Sequence, residues 1–219
     1  CKLGERVSTM MVDDDENDPQ KKQVILSLNW VYPKSNRISK KDRAAIRRMV
    51  EDYGADYIKF DYNIEAGVGT EVDADSVGDG LLGHGRALLS WFEEVRERHP
   101  TLIIENCSSG GMRMDYKTLS AYSLVSTSDQ TDYMLYPYIA GNILSAVLPE
   151  QAAVWSYPVA SDCTKGEDVS DGRIVINMIN SFLGRMHLAS HLDYLNEHQM
   201  DLIREGVSYY NTLSEMKKT

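Results

Sequence analysis

Short β-branched or apolar runs that alternate with helical periodicity constrain this chain of 219 residues more than any other feature. Val24–Leu28 (VILSL) reads as a strand. The same signature recurs at Asp56–Phe60 (DYIKF), Leu102–Asn106 (LIIEN), Tyr122–Thr127 (YSLVST), Ala152–Ser156 (AAVWS) and Arg185–Ser190. Continuous apolar strands of this kind are buried on both faces, as in a parallel sheet covered by helices. After the first run, Ser39 and Asp42 form a capping box. The helix they open carries Ala45, Ile46, Met49, Val50 and Tyr53 on one face and stops at Gly54. A polar, Gly-rich loop over 64–82 leads to a helix with Leu88, Leu89, Phe92 and Val95 turned inward. Further helices are expected near 133–147, over 171–183 and over about 196–217. The result is an α/β chain of six βα units.

That alternation suits both an open doubly wound sheet and a closed barrel. No glycine-rich phosphate-binding signature follows the first strand. Polar and charged residues instead stand just past several strands, as in a (β/α)8 barrel of the TIM type, which builds its site from many strand ends. Such a barrel takes about 250 residues and eight strands, so six units imply that two are missing.

Composition narrows the function. Lys and Arg number 23 against 33 Asp and Glu, a net charge of −10. This argues against nucleic acid and anionic membrane surfaces, which need a basic patch, and leaves neutral ligands such as sugars. No apolar run approaches the ~18 residues of a membrane helix, and the first 22 residues are acidic rather than leader-like. Three cysteines, Cys1, Cys107 and Cys163, form no CxxC pair, so a disulfide framework or zinc site is not expected and a cytoplasmic, reducing location is favoured. Asp13–Pro19 lacks the Gly and Glu of a calcium loop and reads as a solvated loop. His187, His191 and His198 have no HExxH context and read as structural or surface residues.

The strand ends carry the chemistry. They run Lys59-Phe60-Asp61-Tyr62-Asn63, then Glu105-Asn106-Cys107-Ser108-Ser109-Gly110-Gly111-Met112-Arg113-Met114-Asp115, then Ser128-Asp129-Gln130-Thr131-Asp132. Alternation puts Tyr57, Lys59 and Asp61 on one side of their strand, where an ionisable pair is costly unless used or paired. Two carboxylates across a cleft are what glycoside hydrolysis needs. Asp61 suits the nucleophile, with Lys59 favouring its ionised form. Asp129 suits the acid/base, its proton retained by apolar surroundings or by the charge of Asp61. Two other readings remain. Asp61, Glu105 and Asp129 could hold Mg²⁺ with Lys59 as base, as in a metal-dependent barrel lyase or isomerase. The chain could also be an inactive sugar-binding barrel fragment.

In their order, IKFDYN (58–63), ENCSSGGMRMD (105–115) and SDQTD (128–132) resemble three motifs of the melibiases, the α-galactosidases of glycoside hydrolase family 36. The resemblance spans roughly 23–215. It implies a retaining double displacement on terminal α-galactosides of oligosaccharides, with Asp61 as nucleophile and Asp129 as acid/base, and with no cofactor or metal. Lys59 and Asn63 would bind sugar hydroxyls, Cys107 and the Gly110 backbone would line the pocket, and Arg113 would order the loop.

The chain departs from the family pattern in places. Phe60 stands where Trp is usual, Tyr62 where Met is common, Gln130 for Asn, and Ser27 where Asp is frequent. The family aspartates and tryptophan that grip the galactose 4- and 6-hydroxyls have no counterpart. The resemblance makes residues 1–219 a partial catalytic barrel domain, strands three to eight. Val24–Leu28 and Arg185–Ser190 are then expected as open edges, which implies a longer polypeptide or an oligomer.

Overall fold

The computed structural model describes residues 6–14, 22–29, 40–63, 75–159 and 168–216, with side chains from 43 to 214. Ser39, the proposed cap, and the loop over 64–74 lie outside the described residues, as do Cys1 and Cys163. The chain divides into two compact units, Cys1–Leu124 and Val125–Thr219.

In the first unit, β1 (Arg6–Asp14) runs antiparallel to β2 (Lys22–Asn29), pairing Arg6 with Asn29 and Asp14 with Lys22. β2 is parallel to β3 (Ala55–Asp61), and β3 to β4 (Ile103–Cys107). The three strands expected in this region are therefore present, and β1 is an addition. Its RVSTMMVDD sequence is β-branched enough for a strand. Two expectations change with it. Asp13 and Asp14 are strand residues rather than loop, and β2 is not an open edge, because β1 occupies it.

Burial in β3 alternates. Ile58 and Phe60 are buried, while Tyr57, Lys59 and Asp61 on the other face are partly exposed; Ala55, before the register irregularity at the start of the strand, is buried as well. The buried face meets α1 (Lys40–Glu51) and α2 (Asp79–Arg98) in one core that includes Ile46, Met49, Trp91, Phe92, Val95 and Ile104. Phe60 packs edge-on against Trp91 and Phe92, with ring centroids 5.9 and 4.7 Å away. Offset and edge-to-face contacts of this kind add to the area the rings bury. Phe60 is thus a core residue of the helix side. Tyr53, expected on the inner face of α1, is instead 47% exposed just past the helix end. Gly54 follows with φ +71°, the left-handed stop that glycine accommodates. α2 begins at Asp79, inside the stretch expected as loop. α3 (Tyr116–Ala121) is capped by Asp115, whose carboxylate accepts the Thr118 N–H at 3.0 Å.

In the second unit, β5 (Leu124–Ser126) pairs parallel with β6 (Ala152–Ser156), and β6 with β7 (Arg185–Leu188). α4 (Tyr136–Ile143) is shorter than the 133–147 stretch that the periodicity predicts. Its start is set by Asp132, which accepts the Met134 N–H at 2.8 Å and holds 133–135 in a turn. α5 (Asp171–Ser181) is capped by Ser170 and packs Ile174 and Met178 against Ile203 of α6 (Glu197–Met216). Among the described residues, no helix is long and apolar enough to cross a membrane.

Gly184 leads α5 into β7 where no side chain fits. A Cβ there would lie 2.5 Å from the Ala152 carbonyl oxygen and 2.8 Å from a Val154 methyl. Gly184→Ala is expected to destabilise the protein by about 1–3 kcal/mol. Urea unfolding of the variant beside the parent protein, with unchanged m, checks this.

Candidate active site

Parallel pairing sets the levels of the site. Lys59 lies opposite Glu105, and Asp61 opposite both Ser27 and Cys107. Alternation then gives Tyr57, Lys59, Asp61 and Glu105 one common face, away from the helices. Tyr57 donates its hydroxyl proton to Glu105, and the Lys59 ammonium lies 3.6 Å from the other Glu105 oxygen. Glu105 is 1% exposed. Burial pushes its carboxyl above the usual carboxylate range, helped by the charge of Asp61 and opposed by Lys59 and the Tyr57 hydrogen bond. Lys59 is thus paired with Glu105 across the two strands. Asp61 is half-buried, and its Oδ1 is shielded from solvent with no hydrogen-bond partner among the described residues.

The turn after β4 closes on the end of β3. The Ser109 N–H donates to the Asn63 side-chain oxygen at 2.7 Å, and the Ser108 hydroxyl donates to the Tyr62 carbonyl. Ser109, Gly110 and Gly111 all have positive φ, at 44°, 60° and 122°. Glycine makes this run accessible at 110 and 111 and leaves the backbone there open to close approach. Arg113 stacks its guanidinium over the Tyr62 ring, 3.8 Å from the centroid, and its carbonyl accepts from the Asn106 amide at 2.7 Å. Cys107 is buried, 2% exposed. The first unit therefore gathers Lys59, Asp61, Asn63, Cys107, Gly110 and Arg113 at adjoining strand ends.

Asp129 belongs to the second unit, three residues past the end of β5, and is exposed. The described residues therefore do not give Asp129 the expected apolar surroundings. Side chains shape its loop: Ser128 accepts the Gln130 N–H at 3.0 Å, and Gln130 accepts the Asp132 N–H at 2.9 Å. Gln130 thus serves as a turn residue. The same unit presents an aromatic group that the sequence reading missed. The Trp155 indole N–H donates to Ser126 at 2.7 Å, with Tyr157 stacked 6.1 Å away and His187 edge-on at 4.8 Å. The W-S-Y run after a strand was its available signal. Elsewhere, His198 pairs with Asp171 at 2.9 Å and His191 stacks on Tyr194. Among the described residues, no three His, Cys, Asp or Glu side chains cluster as a metal site would require.

Residues 10–216 match the family model described as Melibiase, and the chain belongs to that family of glycoside hydrolases. No curated protein sequence matches the chain. Among solved structures, an α-galactosidase from Lactobacillus brevis is similar with a TM-score of 0.63 and 19% identity, over 77% of this chain and 22% of that one. The galactosidase domain of the α-galactosidase-sucrose kinase AgaSK gives 0.63 and 20%, over 80% and 24%. The family 36 α-galactosidase AgaA from Geobacillus stearothermophilus, in complex with stachyose, gives 0.61 and 18%, over 78% and 23%. These likenesses show the fold, an α/β arrangement consistent with part of a TIM-type barrel. The chain spans less than a quarter of the length of these three proteins.

The Glu105 carboxyl has a consequence for stability. Its folded-state pKa is raised, so its contribution is full below the ordinary carboxylate value and is lost as pH rises through the folded value. Glu105→Gln removes that dependence. Urea unfolding of parent and variant between pH 4.5 and 8 is expected to show the parent's relative stability falling as pH rises.

Proposed function

We infer that the chain supplies strands three to eight of the catalytic barrel of a retaining α-galactosidase acting on terminal α-galactosides of oligosaccharides. The observation that carries this is Asp61, held at the end of β3 with one oxygen shielded and without a hydrogen-bond partner among the described residues. It shares its sheet face with Lys59 and Glu105, inside a chain of the melibiase family. A carboxylate so placed is the attacking group that double displacement needs.

Asp61 attacks the anomeric carbon as Asp129 protonates the departing oxygen. Asp129, as carboxylate, then takes a proton from the water that cleaves the glycosyl-enzyme. Retention calls for the two carboxyl groups to lie about 5–5.5 Å apart. Lys59 and Asn63 bind sugar hydroxyls. Cys107 and the Gly110 backbone line the pocket, and Arg113 fixes the turn that presents them. Oligosaccharide substrates are supported by AgaA, solved with stachyose and with raffinose. Among the described residues β7 pairs on one side only, with β6. This supports completion by further chain or by a second copy. The buried Cys107 thiol agrees with a cytoplasmic location.

In the full-length protein, Asp61→Ala is expected to lower kcat by about 10³-fold or more with folding retained. Azide should restore part of the activity with inverted product. Near-parental hydrolysis, followed with a nitrophenyl α-galactoside, refutes the assignment. Asp129→Ala is expected to cost about 10²–10⁴-fold on melibiose and far less on an activated aryl galactoside, because only the poorer leaving group needs the proton. Equal losses, measured where glycosylation limits the rate, rule out that role.

A further inference from the structure

Tyr62 lies between Asp61 and Asn63, and every polar group it carries is engaged. Its N–H donates to the Cys107 carbonyl at 2.8 Å. Its carbonyl accepts from the Ser108 hydroxyl and from Arg113 Nε at 3.4 Å. Its ring lies beneath the Arg113 guanidinium. Its hydroxyl meets His84 Nε2 of α2 at 2.8 Å, with the two rings stacked 5.9 Å apart at 21°. Tyr62 is 5% exposed and His84 9%. One residue thus joins the end of β3, the turn after β4 and the second helix.

Beside the pair, among the described residues, lies a cavity of about 730 Å³, lined by Tyr62 and His84 together with Leu81, Leu88, Arg113 and Tyr122. The hydrogen bond to His84 and the Arg113 stack tie the tyrosine at the edge of that cavity. Burial and the Arg113 charge hold the His84 imidazole below its usual pKa, which keeps it neutral and able to accept from the phenol.

We propose that Tyr62 and His84 are positioning residues for the nucleophile: their hydrogen bond, with the Arg113 stack, holds Asp61 and Asn63 in register with the 108–113 turn. The proposal rests on the reading of Asp61 as nucleophile. Displacing a reacting group by a fraction of an ångström costs catalysis more than binding, because near-attack geometry is stricter than ground-state contact.

The test uses the full-length protein with Tyr62→Phe, His84→Phe and His84→Gln. The first two delete the hydrogen bond, while Gln keeps a group that can meet the tyrosine hydroxyl. kcat on a nitrophenyl α-galactoside is measured per active site, counted by covalent labelling with a fluorinated galactosyl inactivator, so that a smaller folded fraction does not register. For Tyr62→Phe and His84→Phe, kcat should fall on the order of tenfold with KM within about twofold, and His84→Gln should recover most of the loss. Exchange of the Ser109 amide hydrogen, which Asn63 protects, should quicken in Tyr62→Phe and His84→Phe and return toward the parental rate in His84→Gln. Parental kcat per site in Tyr62→Phe, or unchanged Ser109 exchange, overturns the proposal. If the parent protein turns over no α-galactoside, the functional reading falls, and the Ser109 exchange alone decides whether the pair holds the loop.

Discussion

Parallel hydrogen bonding of β3 to β4 is the constraint on which the first unit depends. It sets Lys59 level with Glu105 and Asp61 level with Cys107. Slipping it by one residue would exchange the faces of the strand, burying Lys59 and Asp61 under helices and exposing Ile58 and Phe60. The register is secured from the helix side, where Phe60 is wedged between Trp91 and Phe92. Apolar packing on one face thereby fixes the placement of charge on the other. A buried carboxylate such as Glu105 is tolerable only because Tyr57 and Lys59 reach it there.

The second unit follows the same rule with different groups. Val154 and Ser156 of β6 are buried, and Ser156 contacts Met178 of α5. The residue between them, Trp155, is turned to the other face and anchored by Ser126. The backbone of Trp155 is also held, its N–H donating to the Tyr136 hydroxyl at 2.8 Å. β5 and β6 are thus joined by side-chain bonds as well as by their short ladder. That matters because β5 has only three residues, and its end leads directly into the Asp129 loop.

Much of this was legible in the sequence, for identifiable reasons. The strands show as apolar runs because they are buried on the helix side. Asp61 and Asp129 show because carboxylates just past such runs are unusual, and the glycines at 110 and 111 because the turn needs positive φ. What escaped is what depends on distance along the chain. Nothing local links Tyr62 to His84, 22 positions on, or Tyr57 to Glu105, 48 positions on. β1 escaped because the acidic run in which it ends dominates the N-terminal composition. Periodicity starts α4 too early because apolar spacing continues through residues that Asp132 holds in a turn.

Ser109 shows how this turn constrains inheritance. With φ at 44°, it occupies the left-handed region at a cost of about 1–2 kcal/mol relative to ordinary backbone. Two glycines follow it, so the chain could have relieved that cost with a third. The serine can persist because its amide and hydroxyl both meet the Asn63 side chain, at 2.7 and 3.3 Å. The two positions therefore form a single unit of variation. A lineage that loses the asparagine inherits an unsupported left-handed serine, and its shortest escape is glycine at 109. Glycine at 109 would leave the asparagine free to vary, because it carries the same backbone without strain.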